Sequence, residues 1–525
     1  MLLCKFGKTY FMQHVIPSDR HQITFSSLEE GIDSNDPVRF LDAFVEKLDL
    51  VKLGFQMKSV KIEGRPSFNP KLFLKIYLYG YQNGLRSSRR LEKECKRNVE
   101  MQWLCESLVP NYHSISDFRK VNGKALRNMF KLFVCFLKEL DLIAGKTIAI
   151  DGTKSRAHNS KKNNFTSKKL DRHFKYIEAK IGEYLDELDK CDAEEDDIKV
   201  QEIEKKLVVL QEHQLKYEKL EQELIASGQP QISTTDPDSR SLLVQGQVVE
   251  VCYNTQAAVD AKHKLVVATH TINRNDRNAL SAIASEAKLN LNAVNFTLLA
   301  DKGYHNAREI ENCQHLNIKT IVAHQELVNS NAKGTTKEYL VDQFKYNIKN
   351  DTYICPAGQT LSTIGTWHNK IRDDKTTYQF KKYRTPACKV CPVKNLCTGR
   401  AKGGREIERS QYAEAVELNT RNYKKNQNLY RTRQEINEHI FGTIKRKWGY
   451  YYTNLKGLEK VNGEWSLIML SYNLKRTFNI LKFNDLMQNL KKWKPKYRKE
   501  WRYSKKLAQL KAFREYTLLE NKLAA

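Results

Sequence analysis

This 525-residue chain lacks any long apolar run. Its longest strongly apolar segments, such as LFVCFL at 132–137, are far shorter than the roughly 20 residues that cross a bilayer. The opening residues MLLCKFGKTYF lack the basic-then-apolar order of a secretory signal, and 11 cysteines are too sparse for a secreted disulfide framework. We therefore expect a cytoplasmic protein with no membrane partner and with reduced or metal-bound thiols.

Acidic residues are scarce relative to basic ones. The chain has 61 Asp and Glu against 89 Lys and Arg, a formal net charge of +28, and its 40% hydrophobic content indicates a folded protein. Between residues 168 and 224 acids instead lead bases by 17 to 11, which leaves +34 on the remainder. Such a surplus favours a polyanionic partner, although a solvated basic surface is the alternative.

Helical periodicity dominates residues 36–142, after a weakly patterned N-terminal arm at 1–35. The segment SSRRLEKECKRNVEMQWL carries five closely spaced basic residues: Arg89, Arg90, Lys93, Lys96 and Arg97. The pattern predicts a helix-turn-helix-like DNA-binding domain, but a small helical bundle without a DNA role has the same signature. Residues 168–225 carry a second helical pattern interrupted by DAEEDD, which predicts an inserted antiparallel helical hairpin.

Two short apolar runs each end at an aspartate. In KTIAIDGTKS the run ends at Asp151, and in NFTLLADKGYH it ends at Asp301. Between them, VVEVCYNTQAAVDAKHKLVVATHTI predicts a β-hairpin and NALSAIASEAKLNL a helix. This order predicts an α/β fold with a mixed sheet, in which the two carboxylates lie at comparable strand ends.

A third acid, Glu438, lies in RTRQEINEHIFGTIKRKWGYYY. Isoleucines four residues apart predict a helix that places Glu438 and Gly442 on one face, with Lys445 two turns beyond. The glutamate could hold a metal ion while the lysine contacts phosphate. The alternative is an ordinary solvated helical acid. Carboxylates from separate elements are what two divalent ions usually need.

Four motifs in order carry a resemblance: IDGTKSRAHNSKKN, YNTQAAVDAKHKL, LLADKGYH and EHIFGTIKRKWGY. Together they resemble the DDE transposases of bacterial insertion sequences, from the helical N-terminal region to about residue 480. The resemblance implies an RNase H-like core in which Asp151, Asp301 and Glu438 are the catalytic acids. These acids would hold two Mg²⁺ ions, for which Mn²⁺ can substitute.

The resemblance also implies that Tyr430, Arg433, Glu438 and Lys445 form the Tyr-Arg-Glu-Lys signature of these enzymes. Six residues separate Glu438 from Lys445, as in that signature. Four rather than the usual three separate Arg433 from Glu438, which leaves Glu435 as a rival acid.

The expected fold class is α/β, an RNase H-like mixed-sheet core with additions. The core comprises 143–167, 226–340 and 405–480. The additions are the arm 1–35, the helical domain 36–142, the hairpin 168–225, a Cys-rich insertion 341–404 that is zinc-ribbon-like if its cysteines bind metal, and a basic aromatic tail 481–525.

The implied function is that of a transposase that binds the terminal inverted repeats of its own element, cleaves them and joins them to target DNA. The partners would be double-stranded repeat and target DNA and further copies of the chain, at the bacterial nucleoid. Two rivals stay open: a DNA endonuclease without strand transfer, and an inactive DNA-binding derivative.

Several basic residues surround the expected acids. Those expected to contact DNA are Lys154, Arg156, Lys161, Lys162, Tyr430, Arg433, Lys445 and Arg446. Asp260 falls in the predicted hairpin turn, where aspartate is common without any metal. His305 and His439 flank the expected ligands but need not bind, because Mg²⁺ prefers oxygen.

Two further patterns remain ambiguous. Cys355, Cys388, Cys391 and Cys397 have the spacing C-x32-C-x2-C-x5-C, which fits either a structural Zn²⁺ site or ordinary reduced thiols. The tail KKWKPKYRKEWRYSKK places Trp493, Tyr497, Trp501 and Tyr503 among basic residues. It could stack on exposed DNA bases or pack as an amphipathic segment on the core.

Overall fold

The structure is a computed structural model, and it describes the greater part of the chain: residues 19–23, 25–57, 67–194, 197–244, 248–324, 335–371, 376–400 and 403–497. Most of the expected N-terminal arm, together with Trp501 and Tyr503 of the tail, lies outside these residues. None of the helices described is long and apolar enough to span a membrane.

The N-terminal region is helical throughout its described part. Side-chain caps begin several of its helices: Asp36 accepts a hydrogen bond from a backbone amide of the first turn, and Asn69, Asn98 and Asn111 do the same. The helices are α1 (Pro37–Glu46), α2 (Leu50–Leu53), α3 (Pro70–Gln82), α4 (Ser88–Arg97), α5 (Val99–Leu104), α6 (Tyr112–Val121) and α7 (Gly123–Glu139).

The first strand leads directly into the inserted hairpin. The elements are β1 (Thr147–Arg156), β2 (Asn164–Phe165), α8 (Ser167–Glu194), α9 (Asp197–Ser227) and β3 (Ile232–Ser233). Leu170 at the start of α8 and Leu224 at the end of α9 share one apolar cluster, so the two helices are antiparallel. The described part of α8 ends, and that of α9 begins, within the segment DAEEDD that was expected to separate them.

The central sheet is mixed. Its remaining strands and their helices are β4 (Arg240–Val244), β5 (Val248–Asp260), β6 (Val266–Ile272), α10 (Leu280–Leu291), β7 (Phe296–Ala300), α11 (Ala307–His315) and β8 (Ile318–Val322). The order is β4-β5-β1-β7-β8, and β6 also pairs with β5. Pairing is antiparallel among β1, β4, β5 and β6, whereas β1, β7 and β8 run parallel.

A small β module follows the sheet. Its elements are β9 (Lys345–Asn347), β10 (Thr352–Ile354), β11 (Thr360–Leu361), β12 (His368–Ile371), β13 (Thr377–Tyr383), α12 (Lys394–Cys397) and β14 (Ile407–Ser410). The module forms two three-stranded sheets and has an apolar cluster of its own around Tyr353, Leu361 and Tyr383.

The chain ends in helices that join the N-terminal region to the sheet. They are α13 (Ala413–Lys425), α14 (Gln427–Phe441), α15 (Leu458–Ile480) and α16 (Phe483–Lys492), with a π-helical turn at Gly442–Lys447. Helix α15 packs against both α7 and β6. Where α7 and α15 cross, a Cβ on Gly463 would lie 2.5 Å from the Cα of Gly123, so the two backbones are in contact. The N-terminal helices and the sheet therefore share one apolar core.

Two expectations need correction or refinement. Strand β1 does not end at Asp151 but continues to Arg156, because its polar residues pair with the long strand β5. In the tail, Trp493 packs against Phe44 and Phe136, and the hydroxyl of Tyr497 accepts a hydrogen bond from the amide of Asp49. These two aromatic residues therefore follow the packed alternative.

Candidate functional site

Asp151 and Asp301 are neighbours in the central sheet, at the point where the pairing of β1 with β7 ends. The last parallel pair between β1 and β7 is Ile150 with Ala300, and Asp151 and Asp301 are the next residues along the chain. Because parallel strands run in the same direction, the residues that follow a paired position remain neighbours. The structure thus brings together the two acids that the sequence singled out.

The carboxylate of Asp151 is half-buried and lies close to several polar and charged groups. Its Oδ1 accepts a hydrogen bond of 2.8 Å from the Gly152 amide, and Arg433 Nη1 lies 3.8 Å from its Oδ2. Burial raises the pKa of Asp151 to about 6; the charges of Asp301 and Asp276 act in the same direction, against the Gly152 amide and Arg433. A bound cation would relieve this accumulation of negative charge.

Asp301 begins a 3-10 turn, Lys302–Tyr304, and its Oδ1 accepts a 2.9 Å hydrogen bond from the Gly303 amide. Tyr430 on α14 also lies nearby: burial raises its pKa, and the charge of Asp301 contributes while Arg433 opposes. Helix α14 therefore reaches the two aspartates through the first half of the expected signature.

Glu438 occupies a different position on α14. It is exposed, and its Oε1 accepts a 2.6 Å hydrogen bond from Gln434 on the same helix. The neighbouring Asn437 is buried, and neither polar atom of its amide has a hydrogen-bond partner among the described residues. The rival acid Glu435 forms an ion pair of 2.5 Å with Lys264, on the strand hairpin.

Basic residues lie along the continuation of β1. Lys445 donates a 2.7 Å hydrogen bond to the carbonyl of Lys154, and burial lowers the pKa of Lys445. The other expected DNA contacts in this region are exposed: Arg156, Lys161, Lys162 and Arg446. On α4 all five basic residues of the predicted DNA-binding segment are likewise exposed: Arg89, Arg90, Lys93, Lys96 and Arg97.

Three residues near the expected ligands, Asp260, His305 and His439, have other contacts or properties in the structure. Asp260 is buried at the end of β5, where it accepts hydrogen bonds from the amides of Ala144, Gly145 and Lys262. The ring of His439 shares a 2.8 Å hydrogen bond with the Tyr472 hydroxyl. For His305, burial lowers the pKa to about 4, which keeps its ring neutral near pH 7.

Sequence reasoning missed Asp276. It lies in NRNDRN between β6 and α10, where a 3-10 turn spans Asp276–Asn278. Its charge nevertheless reaches both Asp151 and Tyr304. No periodicity in the sequence points to this neighbourhood, because it depends on the antiparallel register of β1 and β5.

The four cysteines of the β module line one cavity of about 20 Å³. The amide of Gln359 donates a 3.2 Å hydrogen bond to Cys355 Sγ. Burial raises the pKa of Cys397, and the other three thiols add to the effect. As they stand, no three thiol, imidazole or carboxylate groups among the described residues are arranged to hold a metal ion.

Two parts of the chain match family models of transposase domains. Residues 26–121 match the family model described as Transposase domain (DUF772), and residues 354–478 match Transposase DDE domain. The two matches confirm the resemblance to a DDE transposase of an insertion sequence. Glu438 lies within the second match, whereas Asp151 and Asp301 lie between the two.

Other comparisons add little. A search of curated proteins found no match. A solved piggyBac transposase synaptic complex with hairpin DNA shares 8% identity, over 87% of this chain and 79% of that chain, with a TM-score of 0.26. That score is too low to relate the two folds.

Proposed function

We propose that this protein is a DNA transposase that binds the terminal inverted repeats of its element, cleaves them and transfers them to target DNA. The observation that carries the proposal is the pair of neighbouring acids, Asp151 and Asp301, which directly follow the last parallel pair of β1 and β7. The sheet order supports an RNase H-like core: β1 pairs antiparallel with β5 on one side, beyond which lie β4 and β6, and on the other side it is followed by the parallel strands β7 and β8.

Carboxylate oxygens suit Mg²⁺, which prefers hard oxygen ligands, and the crowding at Asp151 provides the negative potential that a divalent ion needs. Asp151, Asp301 and Glu438 would hold two such ions, with Mn²⁺ as a substitute. Bound ions would activate a water or the 3′-hydroxyl of a DNA end as the nucleophile and would stabilise the negative charge on the leaving oxygen. Glu438 would exchange its hydrogen bond with Gln434 for this role.

The remaining residues of the site would position DNA. Phosphoryl transfer depends largely on orientation and charge neutralisation, which exposed Arg156, Lys161 and Lys162 can supply along the backbone. The exposed basic face of α4 would hold the repeat. Since two DNA ends must be paired, the active form would contain at least two copies of the chain, acting on DNA in the bacterial cytoplasm.

An excision and joining assay on the element with its native flanking DNA tests the proposal. Wild-type protein in Mg²⁺ should release and join the ends, and Asp301→Asn should do neither while it still binds the flanks. Asp342→Asn, at an exposed position of the β module, is the matched control and should behave as wild type. Nicking without joined products would establish the endonuclease instead. Binding without cutting by wild type would establish the inactive DNA-binding derivative.

We also propose that the four cysteines of the β module hold a structural Zn²⁺ ion. The shared cavity, the amide hydrogen bond to Cys355 and the mutual influence of the thiols support this assignment over ordinary reduced cysteines. The chain also packs tightly here: a Cβ on Gly404 would lie 2.3 Å from the Cβ of Cys388. Zinc binding would draw the thiols inward around the cavity.

A further inference from the structure

Asp276 is half-buried and accepts hydrogen bonds from two side chains of β5. Its Oδ1 accepts hydrogen bonds of 2.8 Å from both Asn254 Nδ2 and Gln256 Nε2. Both donors are fully buried on β5. A single carboxylate oxygen therefore fixes two side chains of the strand that pairs with β1.

Gly152, the residue after Asp151, lies directly beneath this carboxylate. In the β1–β5 ladder Gly152 pairs with Gln256. A Cβ on Gly152 would lie 2.6 Å from Asp276 Oδ1 and 2.6 Å from Gln256 Nε2. Only glycine leaves room for this approach, so Asp276 rests against the backbone that carries Asp151.

The same network reaches the second aspartate. The Oε1 of Gln256 accepts a hydrogen bond from the Tyr304 hydroxyl. Tyr304 is buried at the end of the 3-10 turn that Asp301 begins. Because Gln256 donates to Asp276 and accepts from Tyr304, the orientation of its amide is fixed at both ends. One set of hydrogen bonds thus connects the segment after Asp151 with the segment after Asp301.

We infer that Asp276 is a positioning residue for the reaction, which fixes the separation of the Asp151 and Asp301 segments through Gln256 and Tyr304. The inference rests on the proposed function, because the spacing of these carboxylates matters only if both serve the same phosphoryl transfer. Asp276 acts here as a double hydrogen-bond acceptor. Its effect should therefore survive replacement of the carboxylate by an amide whose oxygen can accept the same two bonds.

The test compares Asp276→Ala and Asp276→Asn with wild type in the full-length protein. A displacement of about 1 Å in catalytic geometry costs about 100-fold, so Asp276→Ala should lower the joining rate at saturating DNA by about that factor. The affinity for DNA should change less than about twofold, because Asp276 is not among the exposed phosphate contacts. The Mg²⁺ concentration for half-maximal rate should rise, and Asp276→Asn should recover most of the rate.

Two further variants keep the test independent of folding losses. Tyr304→Phe removes only the hydroxyl and should give a smaller loss of the same kind. Gly152→Ala should disrupt the network, whereas Gly182→Ala, on helix α8 where an added Cβ meets nothing within 4 Å, should be neutral. An unchanged joining rate in both Asp276→Ala and Tyr304→Phe overturns the inference, as does a loss in Asp276→Asn equal to that in Asp276→Ala.

Mn²⁺ binding, measured by electron paramagnetic resonance without DNA, separates failure of the inference from failure of the proposed function. Weaker Mn²⁺ binding by Asp276→Ala than by wild type supports positioning even in a preparation that does not join DNA. Equal binding by both proteins counts against the inference alone. Wild-type protein that neither binds Mn²⁺ nor cuts DNA would overturn the inference together with the proposed function.

Discussion

The guanidinium of Arg433 lies 3.8 Å from the carboxylate of Asp151. The contact joins helix α14 to strand β1 across a separation of more than half the chain. It also opposes the effect of burial on the Asp151 pKa. Arg433 thereby holds α14 against the part of the sheet where Asp151 and Asp301 are neighbours.

The position of Arg433 gives a prediction about the two glutamates of α14. Glu438→Gln should abolish cleavage, because one carboxylate ligand is lost, a decrease of at least about 1000-fold. Glu435→Gln should stay within about threefold of wild type, since Glu435 is occupied by an exposed ion pair with Lys264. The cleavage rates of the two purified variants, measured on DNA that contains the element's ends, decide which glutamate is the third acid. A large loss in Glu435→Gln and a small one in Glu438→Gln would assign that role to Glu435.

Neutralising the basic residues after Asp151 should weaken DNA binding and reduce its salt dependence. With Lys154, Arg156, Lys161 and Lys162 all changed to Gln, the slope of log K against log salt should fall by up to about 3.6, at about 0.9 per phosphate contact. The control changes four exposed lysines of the hairpin to Gln: Lys175, Lys205, Lys216 and Lys219. Fluorescence anisotropy between 50 and 200 mM salt, roughly the range over which such contacts are lost, gives both slopes. Equal slopes for wild type and the first variant would remove these residues from the DNA interface.

Purified wild-type protein should contain about one Zn²⁺ ion per chain, because four thiolates complete a tetrahedral site. Cys391→Ser should lose the metal and lower the melting temperature of the β module. Cys135→Ser, at a half-buried cysteine of helix α7, should keep it. Elemental analysis of the three proteins provides the measurement. A stable, zinc-free wild type would instead mean that the four cysteines are simply reduced.

A buried ion cluster links α7 to α10 and gives a pH dependence. Arg127 and Lys131 lie 2.6 and 3.3 Å from the carboxylate of Glu286. Burial alone would raise the pKa of Glu286, but these charges lower it from 4.5 to about 2. Because the folded-state pKa is depressed, the stabilisation is complete above pH 4.5 and disappears as the pH falls towards about 2.

At pH 7, Glu286→Gln should therefore cost about 3 kcal/mol, since it leaves two cations buried without their partner. Glu459→Gln should cost less than about 1 kcal/mol, because its ion pair with Lys124 is exposed. Thermal denaturation at pH 7 and pH 3 provides the comparison. The difference in stability between wild type and Glu286→Gln should be smaller at pH 3 than at pH 7. A difference independent of pH would contradict the depressed pKa of Glu286.

The sequence predicts the neighbourhood of the site better than its details. Asp151 and Asp301 could be found because apolar runs precede both, and a parallel pair places such ends together. The length of β1 could not be predicted from local pattern. Its second half, TKSR, is polar, yet it pairs in register with the long strand β5, and Thr153 and Ser155 are buried. Tertiary pairing here overrides the local preference.

Contacts between distant segments account for what the sequence left open. Tyr430 and Arg433 could be assigned by spacing, but the exposure of Glu438 follows from how α14 docks on the sheet. Asp276 gave no signal, because its partners Asn254 and Gln256 are brought to it by strand register. The aromatic tail was ambiguous for a similar reason: Trp493 finds its place only against Phe44 and Phe136, more than 350 residues earlier in the chain.

The backbone contact between Gly123 and Gly463 has a mechanical consequence. It holds helix α7 of the N-terminal region directly against α15, which also packs on β6 of the sheet. On the proposed function, DNA bound by α4 would therefore keep a fixed position relative to Asp151 and Asp301. The distance along the DNA from the recognised base pairs to the cut would then be constant. The scissile bond would be selected by its distance from the repeat and not by its own sequence. If a few base pairs were inserted between the repeat and the natural cut site, the cut should still fall at the original distance from the repeat.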